Sequence, residues 1–292
     1  MDFERYAAIV RDPAARHERY AEMTSSYFDA FTDLYRELWS DSLNLTWFTG
    51  QKSLAEAQKD HERKVGDLLG VTPGMRVLDV GCGIGNPALE ISAHTGAHVT
   101  GVTISPRQVE VAATKIAEAG AADRVEVVLG DAMELPFPDN SFDAAYAIQA
   151  IGHMPDKPRV YREISRVLRD DTVLVCSDGF LRSRTDLVDH GEAMEVLFQT
   201  FAVPSVTTIH ECQEELRAAG LGMEYLTRYS DHGDMTPNWA IGEQIAAKLM
   251  GGDGPSELSF LFGASMDALG KAAESGALEL YLWAARKLPG RS

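Results

Sequence analysis

Short apolar runs alternate with amphipathic segments between residues 76 and 178, and this alternation predicts strands separated by helices. Asn86 and Ser105 are favoured helix N-caps, and each precedes a proline that suits a first helical turn. A further helix is expected over residues 157–169. The predicted strands are RVLDV, HVTGVTI, VEVVLGD, FDAAYAIQA and TVLVCSD. This rhythm predicts an α/β protein with a doubly wound, mostly parallel sheet that carries helices on both faces.

The segments on either side follow different patterns. Apolar positions 28, 31, 35 and 39 recur at helical spacing, and a second helix is expected from Ser53 to about Leu69. The regular alternation stops for about thirty residues after Asp178. It resumes with a helix in TTIHECQEELRAAG, where Thr208 and Glu211 form a capping box. Two later strands are expected in GMEYLTRYS and ALELYLWAARK, the last of them antiparallel.

Charge and composition narrow the classes of partner. The 292 residues carry a net charge of −17, which argues against nucleic acid and against anionic lipid and is compatible with a neutral or cationic ligand. Cys82, Cys176 and Cys212 lack metal-ligand spacing, so we expect reduced thiols and no metal. The first residues lack the apolar core of a signal peptide, and no run approaches the ~20 apolar residues of a membrane span. We expect a cytoplasmic protein without membrane insertion, and a homo-oligomer is compatible.

A glycine-rich turn follows the first predicted strand, in VLDVGCGIGN. Its glycines let the backbone approach a ligand, and the next helix offers free N–H groups. A dinucleotide site would show G-x-G-x-x-G and an acidic residue about twenty positions later. This chain has G-x-G-x-G followed by Asn86, its second strand ends at Thr103, and a P-loop lysine is missing. The turn therefore predicts a ligand without phosphate.

Several separated segments share one resemblance. VLDVGCGIGNPALEI, LGDAMELPFPDNSFDAAYA and VLRDDTVLVCSDGF resemble, in order, motifs of the class I S-adenosylmethionine-dependent methyltransferases. LYRELWSDSLNLTWF, GAHVTGVTIS, AIQAIGHMPD and PSVTTIHECQEELRAAGL are similar to a subset that acts on lipophilic small molecules. That subset contains natural-product O-methyltransferases and sterol-type C-methyltransferases.

The resemblance implies a Rossmann-like core with helical additions. We expect a helical N-terminal lid over residues 1–52 and a cofactor-binding core over 53–180. A cap insertion is expected over 181–207, and the rest of the core over 208–292, with a helical insertion at about 232–276. The alternative for the N-terminal helix is simple packing on the body of the protein.

The resemblance also implies a set of cofactor residues. Gly81, Gly83 and Gly85 would let the backbone pass the amino-acid tail of S-adenosylmethionine, while Asp79 orients the turn. Thr103 stands where the family often grips the ribose with an acid, so that contact is expected from Ser105 or Gln108. The remaining cofactor positions are Asp131 for the adenine amino group, Ala132 and Met133 for the ring, and Gln149.

Aromatic residues and one histidine are the expected acceptor site. His153 is the expected base, because a neutral imidazole with a pKa near 6.5 accepts a proton at neutral pH, and Asp178 would assist it. The alternative for His153 is a structural hydrogen bond. Gly152 replaces the first histidine of the O-methyltransferase element, and Gln149 replaces a glutamate of the sterol-type pattern. The expected pocket residues are Tyr27, Phe31, Trp39, Trp47, Phe48 and Phe180.

These residues predict methylation of a lipophilic specialised metabolite, with O-methylation ranked first. The alternative is C-methylation of an isoprenoid or indole-terpenoid, with or without cyclisation. A hypothesis from another class is a relative that binds the cofactor and transfers nothing.

Overall fold

The computed structural model describes residues 1–251 and 256–290, and a seven-stranded sheet forms its centre. The strands are β1 (Arg76–Val80), β2 (His98–Thr103), β3 (Val125–Leu129), β4 (Phe142–Ile148), β5 (Leu168–Leu181), β6 (Leu221–Arg228) and β7 (Leu278–Lys287). Their order is β3-β2-β1-β4-β5-β7-β6. The pairs from β3 to β5 are parallel, and β7 is antiparallel to both of its neighbours. The predicted mostly parallel sheet with an antiparallel last strand is confirmed.

Helices cover both faces of this sheet. Neighbouring β1 residues contribute to different apolar clusters, Val77 on one face and Leu78 on the other. The α-helices of the described residues are α1 (Phe3–Val10), α2 (Pro13–Glu18), α3 (Tyr20–Leu38), α4 (Leu54–Leu69), α5 (Asn86–Thr95), α6 (Pro106–Glu118), α7 (Lys157–Val167), α8 (Asp186–Asp189), α9 (Gly191–Thr200), α10 (Ile209–Ala218), α11 (Thr236–Met250) and α12 (Glu257–Glu274). The doubly wound, Rossmann-like arrangement is confirmed.

Local signals set the ends of several elements. Ser53 caps α4 in a capping box with Glu56, and Gly70 ends this helix at φ +61°. A capping box of Thr208 and Glu211 begins α10, as predicted. Helix α7 stops at Val167, two residues earlier than expected, because the chain becomes extended at Leu168 and enters β5.

The additions to the core are largely helical. The stretch after Asp178 has more order than its sequence pattern predicted, since β5 continues to Leu181 and α8 and α9 follow. Helix α9 packs on α12, and α3 packs on α6 and α12. Residues 252–255, in the helical insertion expected at about 232–276, and residues 291–292 lie outside the described residues. Across the described ranges, no helix is both long and apolar enough to cross a membrane.

Candidate cofactor and acceptor site

One cavity of about 200 Å³ lies at the carboxyl ends of the parallel strands. Its floor is formed by residues that end or follow strands, among them Gly81 after β1, Thr103 at the end of β2 and Ile148 at the end of β4. Helices α3, α9 and α12 and the loop after α3 supply the other walls. This is the edge at which ligands of doubly wound sheets bind.

The three glycines of the turn differ in what surrounds them. All have left-handed backbones, with φ of +74° at Gly81, +55° at Gly83 and +77° at Gly85. A Cβ on Gly83 would meet no protein atom closer than Leu43 Cδ1 at 3.6 Å, whereas a Cβ on Gly81 would lie 2.4 Å from the Cβ of Ala150. Gly81 and Gly83 line the cavity, and Gly85 begins α5 outside its wall. Gly83 is therefore the position where the missing side chain leaves room for a ligand.

Two buried carboxyl groups lie next to this turn. Asp79 is 2% exposed and accepts a hydrogen bond of 2.8 Å from the Tyr146 hydroxyl, and burial raises its pKa to about 7. Glu62 of α4 is equally buried, and burial raises its pKa to about 7 as well. The Glu62 carboxyl accepts from the Ser42 hydroxyl, which itself accepts from the Asn86 amide. Asp79 lies beside the turn, and its expected role in orienting it stays a prediction. Glu62 had no signal in the sequence, because a charged residue on an amphipathic helix is usually solvated.

Of the two residues expected to contact the ribose, Gln108 lines the cavity and Ser105 does not. Thr103 and Gln108 line the cavity, and the Thr103 hydroxyl donates to Gln108 Oε1 over 2.5 Å. Ser105 is fully buried, donates to Asp29 and accepts from the backbone N–H of Gln108 as the N-cap of α6. Its hydroxyl is thus occupied and outside the wall, and we correct the expectation to Gln108 alone.

Tyr20 joins the residues expected at the adenine end of the cavity. Asp131 Oδ1 accepts from the backbone N–H of Met133 at 2.8 Å and from the hydroxyl of Tyr20. Tyr20 and Ala132 line the cavity, whereas Asp131 and Met133 do not. Asp131 thus lies outside the cavity wall and is hydrogen-bonded to Tyr20 of α3, which lines it. The adenine contacts expected of Asp131 and Met133 stay predictions. Helical spacing to positions 24 and 28 was the available signal for Tyr20.

The aromatic wall is largely composed of residues other than those expected. Trp39 lines the cavity, as predicted. The other expected pocket residues are packed elsewhere, so those assignments are corrected: Tyr27 and Phe31 between helices, Trp47 against His61 and Tyr229, Phe48 beside Asp234, and Phe180 in the core. The aromatic residues that join Trp39 and Tyr20 in the wall are Phe28, Tyr35, Phe201 and Trp239. Helix α3 packs some apolar side chains between helices and turns others to the cavity, and its periodicity does not show which ones meet the cavity.

His153 lies in the wall between aromatic rings. Its ring meets Phe28 edge-on, with centroids 5.1 Å apart, and stacks on Phe201 at 5.8 Å. Its Nδ1 lies 3.1 Å from the carbonyl oxygen of Ala202, which can only accept, so Nδ1 carries the proton and Nε2 keeps its lone pair. Burial lowers the pKa of His153 to about 4. The imidazole is thus neutral at neutral pH and less basic than its usual pKa implied.

Asp178 shares this end of the cavity with His153. Its carboxylate accepts backbone hydrogen bonds from Gly152 at 2.9 Å and Gly179 at 2.8 Å. Burial raises its pKa, while these N–H groups and the nearby Lys157 act in the opposite direction. The structure therefore places both expected catalytic side chains in one wall, without a hydrogen bond between them among the described residues.

Gln149 lines the cavity, but its amide is already paired. Leu45 donates its N–H to Gln149 Oε1 at 2.8 Å, and Gln149 Nε2 donates to the Leu45 carbonyl at 2.9 Å. Gln149 itself has φ +50°, which is rare for a residue with a side chain. Gln149 therefore holds the loop after α3 over the sheet, and the cofactor contact expected of it stays a prediction.

Comparisons with known proteins agree with this geometry. A family model described as Methyltransferase domain matches residues 78–176. A sterol 24-C-methyltransferase of Gibberella zeae is 43% identical over 61% of this chain and 47% of that protein. A 24-methylenesterol C-methyltransferase of Oryza sativa subsp. japonica is 37% identical over 70% of this chain and 58% of that protein. The crystal structure of the (4+2)-cyclase SpnF has a TM-score of 0.78 at 26% identity, over 92% of this chain and 97% of that chain.

The chain carries a methyltransferase domain at residues 78–176 and resembles the class I S-adenosylmethionine-dependent methyltransferases. It spans about half the length of the two curated relatives, 47% of one and 58% of the other.

The residues around this cavity fit the S-adenosylmethionine cofactor that the resemblance implies. The space at Gly83 suits the amino-acid tail, and the buried Asp79 carboxyl suits its positive charge. Val102, Ile104 and Ala132 line the cavity and would provide apolar walls for the adenine ring. When bound, S-adenosylmethionine supplies an activated methyl group. Within the described ranges, no group of three His, Cys, Asp or Glu side chains could hold a metal ion.

Proposed function

We propose that this methyltransferase moves the methyl group of S-adenosylmethionine to an alkene carbon of a lipophilic isoprenoid. The observation that carries this proposal is the neutral, weakly basic His153 held between Phe28 and Phe201. The names of the curated relatives, which are sterol C-methyltransferases, support the same reaction. C-methylation therefore takes precedence over O-methylation, which the residues alone had ranked first.

The basicity of His153 distinguishes the two reactions. Removing a proton from an alcohol is difficult, because hydroxyl groups resemble water, whose pKa is about 15.7. A base with a pKa of about 4 is poorly matched to that step. A carbocation next to a C–H bond is a far stronger acid, so a weak neutral base is sufficient. The buried environment of His153 favours the second case.

The atoms and electrons of the proposed reaction balance. The two π electrons of the acceptor alkene form the new carbon–carbon bond to the methyl group, and the electrons of the broken sulfur–carbon bond stay on sulfur. The acceptor is left with a tertiary or secondary cation. A neighbouring C–H bond then gives its electrons to a new double bond, and the proton passes to Nε2 of His153.

The aromatic wall suits this positive charge. Ring faces attract cations by about 0.5–2 kcal/mol each, and more strongly where water is excluded. Phe28, Tyr35, Trp39, Phe201 and Trp239 all line the cavity. An alcohol acceptor would gain little from such rings, whereas a cationic intermediate would be stabilised by them.

Transfer of a labelled methyl group tests the proposal. The enzyme should methylate isoprenoids that contain a trisubstituted alkene, and blocking any hydroxyl as its ether should leave transfer intact. Product mass and the position of the label by NMR report carbon attachment. His153→Ala should lose at least 100-fold in turnover, while His94→Ala, on an exposed part of α5, should not. Label on oxygen in all products would refute the proposal.

Cyclisation after methyl transfer is a second candidate. Apolar side chains from α9 and α12 line the acceptor end of the cavity, among them Leu197, Met266 and Leu269. Such walls would hold a cationic chain in a folded shape and away from water. SpnF, the 26% identical structure, is described as a cyclase, which favours testing the products for new rings.

A further inference from the structure

Among the described residues, the charged side chains in the cavity wall all have the same sign. Asp41, Asp79 and Asp178 line the cavity, and the remaining ionisable wall residues of the described ranges are His153, Cys82 and two tyrosines, Tyr20 and Tyr35. We infer that the acceptor carries no phosphate or other anionic group and is a neutral or cationic isoprenoid. This inference rests on the proposed function and adds the charge class of the substrate.

The nearest lysines do not face the acceptor. Lys115 is paired with Asp41, at 2.5 Å between Nζ and Oδ2. Lys157 is 5% exposed, and its Nζ donates to the carbonyl oxygens of Met154 at 3.0 Å and Ser205 at 2.9 Å. It borders a small separate void on the far side of Asp178 rather than the main cavity. Both ammonium groups therefore already have partners within the protein, a carboxylate for Lys115 and carbonyl oxygens for Lys157.

Asp178 determines the sign of the charge at the acceptor end. Its oxygens already accept the N–H groups of Gly152 and Gly179, and these donors point at Asp178 rather than at a ligand. Lys157 lies near this carboxyl and lines the small void, so within the described ranges no lysine or arginine side chain lines the main cavity itself. An ammonium group would favour the ionised form of Asp178, because a neighbouring positive charge lowers the pKa of a carboxyl.

Anion burial in this cavity would be unfavourable. Taking a charge out of water costs several kcal/mol unless a partner compensates for it. A prenyl diphosphate would bring more than one negative charge toward Asp178 and a wall that is mostly apolar. The same arrangement tolerates a neutral alcohol or hydrocarbon, and it favours a protonated amine that resembles the cationic intermediate.

Binding to the protein saturated with S-adenosylhomocysteine tests the inference without turnover. The probes are farnesol, farnesyl diphosphate with and without Mg²⁺, and N,N-dimethylfarnesylamine, together with the ten- and twenty-carbon homologues of each. We expect the amine to bind at least as tightly as the alcohol, and the diphosphate at least 100-fold more weakly than the alcohol, in the presence or absence of Mg²⁺.

Two matched variants test whether the Asp178 carboxyl is the group that favours the amine. Asp178→Asn should weaken binding of the amine at least tenfold and change binding of the alcohol less than threefold. Asp171→Asn removes a carboxylate that is 76% exposed and should change neither. Equal weakening of amine and alcohol by Asp178→Asn would overturn the assigned role of this carboxylate. Diphosphate binding within tenfold of the alcohol would overturn the inference while leaving the proposed methyl transfer intact. Failure of every probe to bind would overturn the proposed function itself.

Discussion

Substitution of Gly83 by alanine should separate cofactor binding from stability. Gly83 has φ +55°, and an L-residue in this region costs about 1–2 kcal/mol. Because an added Cβ would meet its nearest protein atom at 3.6 Å, no overpacking is expected. The loss of unfolding free energy should therefore be about 1–2 kcal/mol.

Gly83→Ala should also weaken cofactor binding, and here the cause is steric. The new methyl group would occupy space that the amino-acid tail of the cofactor requires. Overpacking of one methyl group typically costs about 1–3 kcal/mol, which corresponds to about 5- to 150-fold in affinity for S-adenosylhomocysteine. Isothermal titration calorimetry measures this affinity, and denaturant unfolding without ligand measures stability.

Two other glycines serve as controls. Gly70 has φ +61° at the end of α4 and no atom within 4 Å of an added Cβ, so Gly70→Ala should reproduce the stability loss and leave affinity unchanged. Gly81→Ala should destabilise further, because its Cβ would lie 2.4 Å from that of Ala150. Unchanged affinity in a folded Gly83→Ala protein would refute the reasoning, as would an equal loss of affinity in Gly70→Ala.

Three other predictions concern His153 and Tyr20. The pH–rate profile of single-turnover methyl transfer should show an acid limb near pH 4 rather than near neutrality, and His153→Ala should lack it; a shared limb would show that another group titrates. Unfolding free energy should fall as pH decreases from about 6.5 to about 4, because the unfolded chain binds a proton that buried His153 does not. His153→Phe should remove up to about 1.4 kcal/mol per pH unit from that slope, and an unchanged slope would contradict the burial argument. Tyr20→Phe should increase hydrogen exchange over residues 20–30, since it removes the hydroxyl donor to Asp131; unchanged exchange would mean that other contacts hold this helix.

The sequence by itself determined the core and its ligand edge. Strand and helix periods, the caps at Ser53 and Thr208 and the glycine turn are local signals, and each produced the expected element. The positions of His153 and Asp178 could be predicted for a related reason. Residues that follow parallel strands meet at one edge of the sheet, so chain order alone places them together.

Tertiary structure decided which side chains face the cavity and how they behave there. Tyr27 and Phe28 are neighbours on one apolar helix, yet Tyr27 is buried among helices and Phe28 lines the cavity. The pairing of Tyr20 with Asp131 joins residues 111 positions apart. The low pKa of His153 arises from burial. These properties depend on the orientation of packed helices and on exclusion of water, and both arise only when distant segments come together.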